Sequence, residues 1–245
     1  PMLIVPGNWS AAELDYQARH VVSMVAHNAS FNCNAGKVLV LPKNWTLREK
    51  FMERIEHHFK ATQARKAYYP GAQSRYDDFL NQYPNAVVLG ERTDDIVPWT
   101  ILPDVPAQEG EYALNVEAFC AVLAVTHLED YTSELDYLNK AIDFCNDHIW
   151  GTLSMMLFID DRTRKSMGSA FDDGIAKLKY GGIGVNVWAG VVYGLVTPSW
   201  GAYPGHTLED IRSGKGVVHN GLLLDHPEKS VLYAPFVMKP TPPWF

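Results

Sequence analysis

The segment Met2-Leu-Ile-Val-Pro-Gly-Asn-Trp-Ser10-Ala-Ala-Glu13, read on as far as Leu41, decides the fold. Met2 to Pro6 is a short apolar run, the pattern of a buried strand. Gly7-Asn8 turns the chain. Ser10 stands three residues before Glu13, the spacing at which hydroxyl and carboxylate each satisfy a free N–H of a first helical turn. Leu14, Ala18, Val21, Val22 and Val25 then recur at helical spacing and make one apolar stripe. The helix fades near Asn28 to Asn32, and Val38 to Leu41 reads as the next strand. The same alternation recurs downstream. Ala121 to Thr126, Ser154 to Ile159 and Ile183 to Val187 read as strands, Leu135 to Asn146 and Arg162 to Lys179 as helices. Strands alternating with helices predict an α/β domain built on a mostly parallel sheet.

The intervening stretch is less regular. Thr46 with Glu49 repeats the capping spacing, and a helix to about Gln63 follows with Phe51, Ile55 and Phe59 on one face. From 64 to 116 the chain is broken by Pro70, Gly71, Pro84, Pro98, Pro103 and Pro106. A short helix near Arg75 to Gln82 and a strand near Ala86 to Leu89 are expected there. Val217 to Phe236 holds two apolar runs split by Asp225-His226-Pro227 and reads as extended arms, and Pro240, Pro242 and Pro243 make the terminus irregular. The expected division is an α/β domain over 1–216 and an arm and tail over 217–245. Apolar arms leave strand edges open in a monomer, so a homo-oligomer is expected.

The 245 residues are 47% hydrophobic with a formal net charge of −7, enough apolar content for a sizeable core. The acidic balance argues against non-specific binding to nucleic acid or to an anionic membrane surface. No apolar run is long enough to span a bilayer, and no cationic and apolar leader opens the chain. The three cysteines, Cys33, Cys120 and Cys145, follow no disulfide spacing, so a reducing, cytoplasmic setting is expected. No metal site is expected. Glu56-His57-His58 is the densest cluster, but adjacent helical residues point about 100° apart, and no His-x-x-x-His or Cys-x-x-Cys pair occurs. Gly181-Gly182-Ile183-Gly184 and Gly214-Lys215-Gly216 fit no nucleotide-binding loop, and the first reads as a helix stop.

Cys33 is the residue with chemical promise. It falls where an amphipathic helix gives way to the polar turn Asn28-Ala-Ser-Phe-Asn-Cys33-Asn-Ala-Gly36. Thiolates attack carbonyl carbon, and free N–H groups in such a turn can lower a thiol's pKa and receive an oxyanion. A buried, inert thiol is the ordinary alternative, and Cys120 and Cys145 fit that alternative better.

Several segments stand in a telling order: Pro1-Met-Leu-Ile-Val5; Asn28 and Cys33; Glu117-Ala-Phe119-Cys-Ala121; Ala141-Ile142 through Asn146-Asp147; Trp150-Gly-Thr-Leu153; Gly182-Ile-Gly-Val-Asn186; and, more loosely, Pro198-Ser-Trp-Gly201 and Ser213-Gly214. In that order they resemble motifs of the aldehyde dehydrogenase superfamily. Asn28 and Cys33 match an Asn-x-Gly-Gln-x-Cys motif in which Ser30 and Phe31 replace glycine and glutamine. Glu117 and Phe119 match Glu-x-Phe-Gly-Pro, whereas Cys120 and Ala121 depart from it.

The resemblance implies a three-layer catalytic domain with a C-terminal arm, and a coenzyme domain upstream of Pro1. It implies Cys33 as the nucleophile that turns an aldehyde into a thiohemiacetal and then a thioester, with NAD or NADP as hydride acceptor. Glu117 would bind the nicotinamide ribose and Phe119 would pack beside the ring. Phe31, Asn32 and Trp188 become candidates for the substrate pocket by position. The chain by itself is then expected to be inactive as a dehydrogenase. Acyl transfer to coenzyme A, a non-catalytic paralogue and a stand-alone binding domain remain open.

Overall fold

A computed structural model describes residues 1–239, so the irregular terminus expected at Pro240, Pro242 and Pro243 lies outside the described residues. Strand β1 (Met2–Ile4) runs parallel to β2 (Val38–Pro42) through helix α1 (Ala11–Ala26). The Ser10–Glu13 capping box forms as expected. All five stripe residues are buried, and the helix also buries Gln17, His20 and Ser23. Hydrogen bonds from near and far in the chain hold two of these polar positions. Gln17 donates to the Phe236 carbonyl, and Ser23 Oγ donates to His20 O at 2.6 Å.

After α2 (Arg48–Ala61), α3 (Ala72–Gln82), β3 (Val87–Leu89), β4 (Trp99–Val105) and α4 (Tyr112–Asn115) the chain reaches β5 (Val122–Leu128). Then follow α5 (Glu134–His148), β6 (Ser154–Phe158), α6 (Asp161–Met167), α7 (Ser169–Lys177), β7 (Gly182–Val185), α8 (Gly190–Gly194), β8 (Trp200–Gly201), β9 (Val217–Val218) and β10 (Ser230–Tyr233). The main sheet has the order β10-β7-β6-β1-β2-β5-β4-β3. Every neighbouring pair is parallel except β3 with β4. From β1 the chain builds first toward β2 and later returns to β6 on the other side. Right-handed crossovers in opposite directions put helices on opposite faces. Accordingly α1 packs on α2, and α5 on α7. The central strands β1 and β2 are buried throughout, as a sheet covered on both faces requires.

Four expectations need correction. Thr46 does not cap α2: its cap is Leu47 and lacks a side-chain bond, because main-chain turns at Trp45 and Arg48 already close this corner. The stretch 64–116 conceals β4, whose prolines hid it. Pro103 is tolerated because the register with β5 shifts between Leu102 and Val105, and Asp104 takes φ 55 at that irregularity. The helix expected over Arg162–Lys179 is two helices, α6 and α7, divided at Gly168 with φ 57 and ψ −137. The glycines at 181 and 182 serve close packing, since a Cβ would lie 1.9 Å from Gly201 O at the first and 2.5 Å from the Trp200 ring at the second.

In the C-terminal stretch, Ser230–Tyr233 joins the main sheet as an edge strand on β7, and Phe236 is buried against Trp9. Val217–Val218 pairs with Trp200–Gly201. Leu222, Leu223 and Leu224 remain exposed. Among the described residues no helix is long and apolar enough to cross a membrane.

Candidate active site

The site grows out of the end of α1. Past Ala26 the backbone turns through Asn28, Ala29 and Ser30 at φ 52, 54 and 69, three successive left-handed residues without a glycine. Such a run is strained for L-residues and persists only where surrounding contacts fix it. Asn28 supplies several, its amide donating to Phe31 O at 3.1 Å, Asn32 Oδ1 at 3.3 Å and Tyr68 Oη at 2.8 Å. Asn32 braces the other side through His27 Nδ1 at 2.7 Å and His27 O at 3.2 Å. Trp188 Nε1 donates to Asn34 O at 2.8 Å. The turn therefore presents Cys33 from a fixed frame.

Cys33 is exposed to solvent, while Cys120 and Cys145 are buried. It also lines a cavity of about 280 Å³ together with Lys37, Glu117, Trp150, Tyr180 and Arg212. Pro1, Val38 and Ser154 on the same wall place this cavity at the amino ends of β1, β2 and β6. Open α/β sheets more often bind ligands at their carboxyl ends. Cys33 thus follows the carboxyl end of α1, where the helix dipole gives an anion no help.

The thiol is pushed up from its ordinary value. Desolvation by the cavity wall is the main cause and the Glu117 carboxylate adds to it, while the N–H groups of Cys33 and Asn34 offset part of the rise. Free N–H groups in such a turn can lower a thiol's pKa. The donors are present, but burial and a neighbouring negative charge outweigh them. Glu117 is also raised, by desolvation, with Lys37 and Arg75 opposing.

The structure thus brings Cys33 and Glu117 to one cavity. It places the other sequence candidates elsewhere. Phe119, at φ 41, packs on Tyr69 at 4.9 Å and faces Phe31 at 6.0 Å. Phe31 stacks on Tyr69 at 5.7 Å. Neither aromatic, nor Asn32, nor Trp188, is among the residues lining the cavity. Asn32 and Trp188 hydrogen-bond to main-chain and side-chain atoms of the turn, and Phe31 and Phe119 pack on Tyr69. Two cations went unnoticed in the sequence. Lys37 is one, and Arg75 is the other: its guanidinium donates to Ala118 O at 3.1 Å and Phe119 O at 3.2 Å and so fixes the Glu117 segment. Lys37, four residues past Cys33, could have been suspected from proximity, whereas nothing local marks Arg75. His58 turns to Asp15 Oδ1 at 2.9 Å. Among the described residues no three His, Cys, Asp or Glu side chains gather as metal ligands would.

No family model and no curated protein matches this chain. Solved structures do. An NADP-dependent glyceraldehyde-3-phosphate dehydrogenase from Bacillus halodurans matches with a TM-score of 0.68 at 16% identity, over 91% of this chain and 44% of its own. A gamma-glutamyl-gamma-aminobutyraldehyde dehydrogenase from Burkholderia cenocepacia matches at 0.68 and 17%, over 89% and 42%. The fold is that of the aldehyde dehydrogenases. A further aldehyde dehydrogenase, from Pseudomonas aeruginosa, gives 0.67 at 18% identity, over 89% of this chain and 41% of its own. Against each of these dehydrogenases the chain spans well under half of the other's length. At such identities the aldehyde dehydrogenase likeness is one of architecture, a mostly parallel sheet with flanking helices.

Proposed function

We propose that the chain carries the cysteine portion of an aldehyde-oxidising site, with Cys33 as nucleophile. One observation carries the reading: in an aldehyde dehydrogenase fold, the single exposed cysteine lines a cavity with the carboxylate of Glu117. In this reading the Cys33 thiolate adds to the aldehyde carbonyl and forms a thiohemiacetal. The N–H groups of Cys33 and Asn34, which favour the thiolate, are released when sulfur bonds carbon and can receive the oxyanion. NAD or NADP, when bound, supplies the hydride acceptor that turns the thiohemiacetal into a thioester. Water then releases the carboxylic acid. Glu117 suits the coenzyme role, since its carboxylate faces the cavity and can accept a ribose hydroxyl. Phe119 suits it less well, being packed on Tyr69. We assign residues 1–216 to the catalytic domain and 217–245 to a C-terminal arm that returns Ser230–Tyr233 to the domain's sheet, with assembly of identical copies proposed through the rest of it.

The departures favour one second reading. A thiol pushed up and an aromatic turned from the cavity are what a non-catalytic paralogue of this fold would display.

An activated ester separates the two readings, because acyl transfer to a thiol requires no hydride acceptor. With p-nitrophenyl acetate, the expected result is a burst of p-nitrophenolate equal to the Cys33 content, absent in Cys33→Ser. No burst from the folded chain would leave the paralogue reading in possession. The chain by itself is expected to form no NAD(P)H from aldehydes, and aldehyde-dependent formation would overturn that part.

A further inference from the structure

The two walls of the cavity come from segments far apart in sequence, and one side chain joins them. Lys37 stands immediately before β2. Its ammonium donates to Ser30 O and Ser30 Oγ, each at 2.6 Å. It also reaches Cys120 O at 3.4 Å, across 83 residues of chain. Ser30 is fully buried and is the last of the three left-handed residues. Glycine adopts that conformation without strain; serine holds it only under restraint. Lys37 supplies two of the bonds that restrain it. Facing the ammonium are Glu117, Cys120 and Arg75. Burial pulls Lys37 down to about 8, with Cys120 and Glu117 pulling upward and Arg75 downward, so it still carries its proton at neutral pH.

We propose that Lys37 is a positioning residue: it clasps the left-handed turn at Ser30 to the main chain at Cys120, and so holds Cys33 and Glu117 on facing walls of one cavity. Cys33, Glu117, Lys37 and Arg212 all line that space. The clasp does for serine here what glycine would do unaided. This proposal rests on Cys33 as the working thiol, yet it is tested by thiol chemistry alone and needs no dehydrogenase turnover.

The test is the pH profile of iodoacetamide alkylation at Cys33, read by mass spectrometry beside a thermal unfolding curve. The unaltered chain is compared with Lys37→Met, Lys37→Arg and Ser30→Gly combined with Lys37→Met. Lys37→Met is expected to slow alkylation at neutral pH roughly threefold and to move the midpoint upward, because the released turn no longer orders the N–H donors of Cys33 and Asn34 toward the sulfur. Lys37→Arg keeps the charge and restores the rate. Glycine at position 30 recovers part of the loss. A space-filling lysine predicts the reverse, since a freed turn would solvate Cys33, lower its midpoint and speed alkylation. That result, or an unshifted profile, overturns the proposal. Should Lys37→Met fail to fold, Lys37→Gln carries the decision: its shorter, neutral side chain cannot span Ser30 and Cys120 O, and an unshifted or lowered midpoint there overturns the proposal equally. Which cysteine the unaltered chain labels first bears only on the nucleophile reading, so the two can fail separately.

Discussion

The Cys33 turn and the helix interior around Cys145 hold the same functional group in opposite settings. Cys145, on α5, is 1% exposed, and burial pushes its thiol to about 12. Cys120, fully buried beside β5, is held at about 11 by the same cause. His20, buried on α1, is pulled down to about 3 by desolvation. In each case the interior keeps the neutral form. Desolvation also dominates at Cys33, but there two backbone N–H groups face the sulfur and solvent reaches it. The contrast teaches that this fold makes a thiol available by stopping burial part-way and turning main-chain donors toward it. No specially charged partner activates it, and the nearest carboxylate opposes ionisation.

The contrast can be broken most directly by labelling. Under native conditions Cys33 is expected to react at least a hundredfold faster than Cys145, on the order of the difference in thiolate fraction and access. Comparable labelling of Cys145 in the folded chain would erase the distinction. The interior side of the comparison is sharpened by His20. Its folded value lies below the unfolded one, so its contribution to stability is full above about pH 6.5 and is lost as pH falls toward about 3. Urea unfolding should therefore lose about 1 kcal/mol per pH unit between about pH 6 and 4 from this group. A His20→Met chain should show a correspondingly flatter dependence. An unchanged slope would mean that His20 is not held neutral. The smallest effect concerns the open side. Glu117→Gln removes the charge that raises the thiol, so alkylation of Cys33 at neutral pH should quicken by about threefold, with Cys120 and Cys145 unaffected. Slower alkylation would place Glu117 in some other relation to the sulfur.

Legibility in the sequence followed the range of the interactions. The capping box at Ser10 and the stripe from Leu14 to Val25 were readable because every partner lies within one or two helical turns. The false box at Thr46 shows the limit of that reasoning: the spacing is right, but main-chain turns from Pro42 to Arg48 had already used the groups it would cap. Strand β4 was hidden because Pro103 signals a break, and only the neighbouring strand shows that the break is an irregularity inside a strand. At the site, Cys33 was conspicuous from its turn, and Glu117 only through an ordered resemblance. Phe31, Asn32 and Trp188 were near enough to suggest a pocket, yet none of them lines the cavity that holds Cys33 and Glu117. Arg75 offered no signal, since the two acceptors that tie it to the site are carbonyls more than 40 residues away.

By itself the sequence determined the alternation of buried strands and capped helices, and with it a mostly parallel α/β sheet. Periodicity and capping are local consequences of backbone geometry and apolar burial. Only the tertiary structure decided that Cys33 and Glu117 share a cavity, that the thiol is raised and not lowered, and that Lys37 ties the two walls together. These outcomes depend on desolvation and on contacts between residues far apart in the chain, which spacing along a sequence does not encode.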